Sequence, residues 1–274
     1  MATFRFNFRS EVLGIYTNVT VTLPTGNYSY KEGDKPLYKP GMKFATCYLL
    51  HGGGEDDTVP YRYSNVELYA ERNNVMTVTP SVNDSFYIDT KYGMKYFTYI
   101  TEELPVVVRS LFPSSEKRED NFVMGYAMGG NGALLAGIRR PDLYSACIDL
   151  SGGIGSTLDT DSLVGQLRDI KGLEKFQGAF GAAEDIPGSS LDLAIYLKKA
   201  LENHVELPKL FIAVGNDDFI RDVVRKDRDV IQKAGIPLVY EEPEGYAHDW
   251  RFWDAYIEKA FDEWIPIQNR LTFQ

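Results

Sequence analysis

Histidine and cysteine are scarce in this chain, with three of the first and two of the second among 274 residues. Cys47 and Cys147 each lie inside a hydrophobic, strand-like run, and neither has a close partner at the spacing of a metal site. Both read as buried core thiols compatible with the cytoplasm, and no metal is expected. No lysine or arginine cluster exceeds a pair and the formal net charge is −10. The electrostatic footprint of phosphate-backbone binding is missing, so nucleic acid is not an expected partner. No phosphate-loop lysine motif occurs, and no organic cofactor is expected. No apolar run approaches the ~20 residues of a membrane span. Residues Met1 to Ser10 alternate Phe4, Phe6 and Phe8 with polar residues. That is strand periodicity, not the continuous apolar core of a signal peptide, so a cytoplasmic protein without membrane association is expected.

A composition 44% hydrophobic and 25% charged over this length suits one large α/β domain spanning residues 1–274. After the first strand, Tyr16 to Leu23 alternates again, and the two segments form an expected antiparallel edge. Thr25 to Met42, rich in Gly, Pro and Lys, reads as a long surface loop. From Phe44 the runs become continuously apolar: Phe44 to Leu50, Val75 to Thr79, Phe122 to Met124, Cys147 to Leu150, Leu210 to Val214 and Leu238 to Tyr240. Such runs suit strands covered on both faces. Helical spacing connects them in Ile100, Leu104, Val107, Val108 and Leu111, and again in Val223, Val224, Val230, Ile231 and Ala234 before Gly235 and Pro237. The alternation implies a mainly parallel, doubly wound sheet. Pro105 should kink the first of these helices or mark its start. Residues 151–190 break the alternation and are expected to form a small cap or lid insertion.

The run Phe122-Val123-Met124-Gly125-Tyr126-Ala127-Met128-Gly129-Gly130 carries a buried strand into a glycine-dense turn and then a helix. This is the setting of a nucleophile elbow, whose central residue is strained and needs small residues two before and two after it, here Gly125 and Gly129. Serine ordinarily occupies the centre; Ala127 has no oxygen with which to attack a carbonyl. Leu50-His51-Gly52-Gly53-Gly54 closes the first central strand with glycines whose N–H groups can stabilise an oxyanion, together with the residue after the nucleophile position. Gly53 and Met128 are the candidate donors. His51 is read as ordering that loop, because His248, in Gly245-Tyr246-Ala247-His248-Asp249-Trp250, is the better base. Asp217 and Asp218 are adjacent candidates for the carboxylate that orients it, and either can instead cap the following helix. The order nucleophile position, acid, histidine is that of a serine hydrolase elbow fold.

With Ser85-Phe86-Tyr87, Glu102-Glu103-Leu104-Pro105 and Gly215-Asn216-Asp217-Asp218-Phe219, these segments resemble one family over nearly the whole chain. It is the esterase D, S-formylglutathione hydrolase and tributyrin esterase group of α/β hydrolases, related to acetyl and feruloyl carbohydrate esterases. The resemblance implies an α/β-hydrolase fold, Asp218 as the acid, His248 as the base, Gly53 and Met128 as oxyanion donors, and short acyl or carbohydrate esters as substrates. Its departure is Ala127, where the family pattern has serine. Either the alanine replaces a natural serine, or the chain is a natural pseudoenzyme that only binds. The persistence of Asp218, His248 and both oxyanion loops in one chain favours the first, and in both cases near-inactivity is expected of the chain as it stands. Gly52, Tyr61, Phe86, Tyr87 and Trp250 lie near the predicted loops and are candidates to line the substrate pocket, with core packing as the alternative for each aromatic. The sequence also leaves a homo-oligomer open.

Overall fold

Alternation and continuous apolar runs produce two kinds of strand in the computed structural model of the protein, which describes residues 1–25, 40–90, 93–153 and 193–267. β1 (Ala2–Arg9) and β2 (Tyr16–Leu23) pair antiparallel, with Ala2 opposite Leu23 and Arg9 opposite Tyr16. β3 (Ala45–Leu50), β4 (Val75–Pro80), β5 (Asn121–Tyr126), β6 (Ala146–Leu150), β7 (Lys209–Ala213) and β8 (Leu238–Glu241) follow. One eight-stranded sheet holds them in the order β1-β2-β4-β3-β5-β6-β7-β8. β2 meets β4 antiparallel, and every pairing from β4 to β8 is parallel, as the alternation of strand and helix predicts. In such a sheet the loops at the carboxyl ends of neighbouring strands converge on one crevice.

All residues of β5 and β6 are buried, since both faces are covered. β8 differs from its expected double burial: it is the sheet's edge, paired on one side only, and Val239 is 43% exposed. Helices lie at α1 (Val59–Tyr63) and α2 (Val66–Arg72) between β3 and β4. The next helix is built of three consecutive pieces: Tyr96–Thr98, a π-helical stretch Tyr99–Glu103, and α3 proper, Leu104–Leu111. Pro105 explains this form. It has no N–H and would crowd the Thr101 carbonyl four residues earlier, so the widened π turn precedes it, and Arg140 Nη1 donates to Thr101 O at 3.4 Å. Of the two expectations for Pro105, it is a distortion inside the helix and not a start that is seen, and the helix begins at Tyr96. α4 (Met128–Arg139), α5 (Leu193–Glu202), α6 (Arg221–Lys233) and α7 (Trp250–Lys259), the last continued by a π-helical stretch Ala260–Trp264, follow among the described residues. α6 ends where Gly235 takes φ +75°.

The two faces of the sheet carry separate apolar clusters. One joins Val21, Leu50, Val123, Cys147 and Leu135; the other joins Cys47, Leu49, Phe122, Met124 and the aromatic face of α7. Both cysteines are free and buried, and burial raises their thiols above the ordinary range, which makes them inert packing groups. Among the described residues no helix is long and apolar enough to cross a membrane. The expected cap, apart from its first three residues, and most of the loop from Thr25 to Met42 lie outside the described residues.

Candidate active site

The turn from β5 into α4 holds Ala127 at φ 49°, ψ −124°. These are the angles of the first central residue of a type II′ turn, a conformation that glycine fills without strain and L-residues with difficulty. Close packing imposes it. A Cβ on Gly125 would lie 2.1 Å from Gly129 O, and one on Gly129 would lie 2.0 Å from Leu50 O. Only glycine at both positions lets α4 start this near the ends of β3 and β5. Ala127 N–H donates to Leu150 O at 2.9 Å, which joins the turn to β6.

The loop after β3 is pinned on both sides of Gly52. Tyr87 Oη donates to His51 O at 2.9 Å. Gly52 N–H donates to Glu55 Oε2 at 3.0 Å. His51 Nε2 accepts the Val82 N–H at 3.2 Å, so its proton resides on Nδ1, which donates to Gly52 O at 2.8 Å. His51 therefore orders the loop as its sequence position suggests; burial also lowers its affinity for a second proton. Three of the four polar groups on the two peptides flanking Gly52 are thus engaged, and the fourth is the Gly53 N–H. It points opposite to the Gly52 carbonyl because the peptide is planar and trans. Gly53 N–H and Met128 N–H, the latter at the first turn of α4, have no acceptor among the described residues. Gly52 sits against the elbow: a Cβ there would be 3.5 Å from Ala127 Cβ and 3.1 Å from the Tyr126 ring.

His248 lies on the loop between β8 and α7, on which Asp249 caps α7 by accepting from the Arg251 and Phe252 N–H groups. Its Nδ1 is 3.0 Å and 2.9 Å from the two carboxylate oxygens of Asp218, whose side chain is wholly buried. Asp218 Oδ1 also accepts the Ile220 N–H at 2.9 Å, so the same carboxylate orients the imidazole and turns the chain toward α6. Asp217 offers its backbone N–H to Tyr246 O instead. The His248 ring is bracketed by Phe219, 4.7 Å away, and by Trp253, edge-on at 4.9 Å. Phe219 is 67% exposed and forms part of the rim.

The predicted pocket aromatics divide. Tyr87 is fully buried with its hydroxyl on the His51 carbonyl, so it supports the loop and does not face a ligand. Tyr61 is likewise held inward, its hydroxyl between Thr77 and Thr79 of β4 at 2.8 and 2.9 Å. For both, the contacts seen are those of core packing, the alternative that the sequence leaves open. Phe86, at φ 53°, donates its N–H to Met128 Sδ at 3.3 Å and borders the elbow. Trp250 meets the Tyr126 ring edge-on at 4.6 Å and stacks on Tyr63 at 5.6 Å. Glu55 is a residue that sequence reasoning does not single out. Its carboxylate takes the Tyr126 hydroxyl and the Gly52 N–H together, and burial holds it above the usual carboxylate range. The one signal for it is a carboxylate directly following a triple glycine. Among the described residues no cluster of His, Cys, Asp and Glu is arranged to hold a metal ion.

The family model described as "Putative esterase" matches residues 10–262. An acetyl esterase of Caldicellulosiruptor saccharolyticus is 32% identical over 97% of this chain and 98% of its own length. An S-formylglutathione hydrolase of Bos taurus is 28% identical over 63% of this chain and 58% of that protein. Among solved structures, the fluorophosphonate-binding serine hydrolase FphF of Staphylococcus aureus superposes with a TM-score of 0.79 at 28% identity, covering 95% of this chain and 96% of that one. The family match over residues 10–262 and the relative at 32% identity over nearly the whole of both chains show that this chain belongs to the esterase family of α/β-hydrolase-fold proteins.

Proposed function

We propose that this chain is a serine carboxylesterase whose nucleophile position, 127, holds alanine, and that it is nearly inactive for that reason alone. The observation that carries the reading is the His248–Asp218 pair at 2.9–3.0 Å, formed on the same crevice as a strained elbow that has no hydroxyl to deliver. With serine at 127, Oγ attacks the ester carbonyl while His248 Nε2 takes its proton, and Asp218 holds the tautomer that leaves Nε2 free to do so. Gly53 N–H and Met128 N–H receive the charge that moves onto the carbonyl oxygen. The tetrahedral intermediate collapses, the alkoxide leaves with the proton from His248, and water attacks the acyl-enzyme by the same route. No cofactor takes part. Similarity to an acetyl esterase supports a short acyl group on a small-molecule or carbohydrate alcohol. Gly52, Phe86 and Trp250 line the pocket in this reading, with Phe219 on its rim.

The alternative, a natural binding protein of the same fold, rests on Ala127 itself. A retired enzyme has no chemical use for an oriented imidazole, which favours replacement of a natural serine. Ala127→Ser decides between them. Restoring a triad nucleophile should raise turnover of a nitrophenyl acetate or butyrate by up to ~10⁶-fold. The alanine protein should bind the same ester and return it unhydrolysed, with a Kd near the serine variant's KM where acylation is slower than dissociation. A folded serine variant no faster than the alanine protein across an ester panel would defeat the esterase reading in favour of the binding one.

A further inference from the structure

Glu55 has no part in the proton transfers proposed above, yet its carboxylate touches three pieces of the crevice. Its Oε2 accepts the Gly52 N–H at 3.0 Å and the hydroxyl of Tyr126, the residue immediately before Ala127. The Trp250 indole N–H, two residues beyond His248, supports the same charge. A Cβ on Gly52 would come within 3.2 Å of Glu55 Oε2 and 3.5 Å of Ala127 Cβ, so carboxylate, loop and elbow are layered without a gap. Tyr126 is fully buried and meets the rings of Trp250 and Trp253 at 4.6 and 5.0 Å, which leaves its hydroxyl little freedom to seek another acceptor.

We propose that Glu55 is a positioning residue that fixes the loop peptides so that the Gly53 N–H is held toward the crevice. It rests on the esterase reading for its catalytic meaning. Rotation of the His51–Gly52 peptide would have to break the bonds at both of its ends, to Tyr87 and to Glu55, and the adjoining peptide, which carries the Gly53 N–H, is tied to this one by the bond of its Gly52 carbonyl to His51 Nδ1. Glycines at 52, 53 and 54 leave the backbone itself free to turn, so the orientation has to come from partners outside the glycine run. Glu55 is the partner that couples this orientation to the elbow: a shift of the loop relative to residue 127 must also move the Tyr126 hydroxyl or abandon it. The loop donor is then preformed before substrate arrives, which is the condition for stabilising an oxyanion without reorganisation.

Two measurements test this. In the Ala127→Ser background, Glu55→Ala should lower kcat by ~10²-fold, the size expected when a reacting group is displaced without being removed, and leave KM nearly unchanged. Glu55→Gln, which keeps one acceptor oxygen, should recover part of the loss. Affinity for an oxyanion-mimicking boronic acid should fall in step with kcat/KM. A residue that serves only stability would lower the thermal midpoint and leave kcat of the folded enzyme intact, and that result overturns the proposal. The second measurement needs no turnover. In the chain as it stands, Glu55→Ala should speed amide exchange at Gly52 by at least about tenfold while exchange in β5 and β6 stays slow. Unchanged exchange at Gly52 overturns the proposal. Inertness of Ala127→Ser would count against the esterase reading only, and the exchange result would then decide the role of Glu55 by itself.

Discussion

Asp218→Asn, made in the Ala127→Ser protein, tests the geometry behind the proposed base most directly. The substituted amide has one oxygen, and the structure says where it goes. The Ile220 N–H is 2.9 Å from Oδ1 and needs an acceptor, so the amide oxygen takes that place and the NH₂ takes the Oδ2 place, 2.9 Å from His248 Nδ1. The amide NH₂ then opposes the His248 Nδ1–H, and the amide oxygen, though 3.0 Å from the same Nδ1, is shared with the Ile220 N–H, so the balance moves the imidazole proton toward Nε2. That is the wrong tautomer, because Nε2 must be bare to accept the serine proton. The same failure of tautomer costs about 10⁴ in kcat in a Ser-His-Asp hydrolase. This corresponds to about 5.5 kcal/mol of lost transition-state stabilisation. The neighbouring Asp217→Asn should cost little, since the pairing of Asp217 with Tyr246 uses its backbone N–H. Steady-state kinetics on a nitrophenyl ester gives both numbers, and ¹⁵N chemical shifts of the His248 ring report the tautomer independently. Equal losses in the two variants, or an Asp218→Asn protein that keeps its activity and its imidazole proton on Nδ1, would refute the reasoning.

Other expectations follow from close contacts and burial. Gly129→Ala puts a methyl 2.0 Å from Leu50 O and 2.7 Å from His51 O, both backbone atoms that cannot step aside; it should cost about 3 kcal/mol or more by urea denaturation. Gly54→Ala meets nothing within 4 Å and bears only the strain of φ +75°, so about 1 kcal/mol is expected. Glu55→Gln should alter stability against pH in a defined direction. Burial first, and the charge of Asp56, raise the Glu55 carboxyl in the fold, while Tyr126, Gly52 and Trp250 oppose the rise and the Tyr87 hydroxyl lies within its field. A folded value above the unfolded one means stabilisation that is full below the unfolded value and is lost as pH rises through the folded value. Thermal midpoints measured from pH 4 to 7 should therefore fall less with rising pH in Glu55→Gln than in the parent, and identical slopes would contradict this.

What the sequence makes legible divides along a physical line. The parallel sheet, the antiparallel edge and the elbow are readable because each depends on near neighbours: alternation, apolar runs, and glycines two residues either side of Ala127. His248 is readable because only three histidines exist. Spacing alone does not choose between Asp217 and Asp218, since adjacent carboxylates on one loop differ only in direction; it is the family resemblance that singles out Asp218, the one whose carboxylate turns toward His248. Tyr61 and Tyr87 lie near the loops in sequence, yet Thr77, Thr79 and the His51 carbonyl draw their hydroxyls inward. Glu55 is hidden for the converse reason. Its partners Tyr126 and Trp250 are far off along the chain, and only the crossing of β3, β5 and α7 brings them to one carboxylate.

Ala127 itself supplies the last test. Its φ of 49° with ψ of −124° belongs to glycine in most proteins, and holding an L-residue there costs about 1–3 kcal/mol. The conformation does not come from a side chain at 127, because alanine retains it; it comes from the approach of Gly125 to Gly129 and of Gly129 to Leu50. In an esterase such strain has a use, since it projects the central side chain out of the turn. In a protein that only binds, it has no such use, although the same packing sustains it. Ala127→Gly removes the Cβ and with it the strain, against a loss of about 0.4–1 kcal/mol from the freer unfolded chain. A net gain of about 1 kcal/mol is expected, seen as a rise of about 2–4 °C in thermal midpoint for a domain of this size. Ala127→Ser keeps the Cβ and should keep the strain, so its midpoint should stay near that of the present chain. A glycine variant less stable than both would show that the backbone at 127 is relaxed, and would remove strain from the case for an elbow built to present a nucleophile.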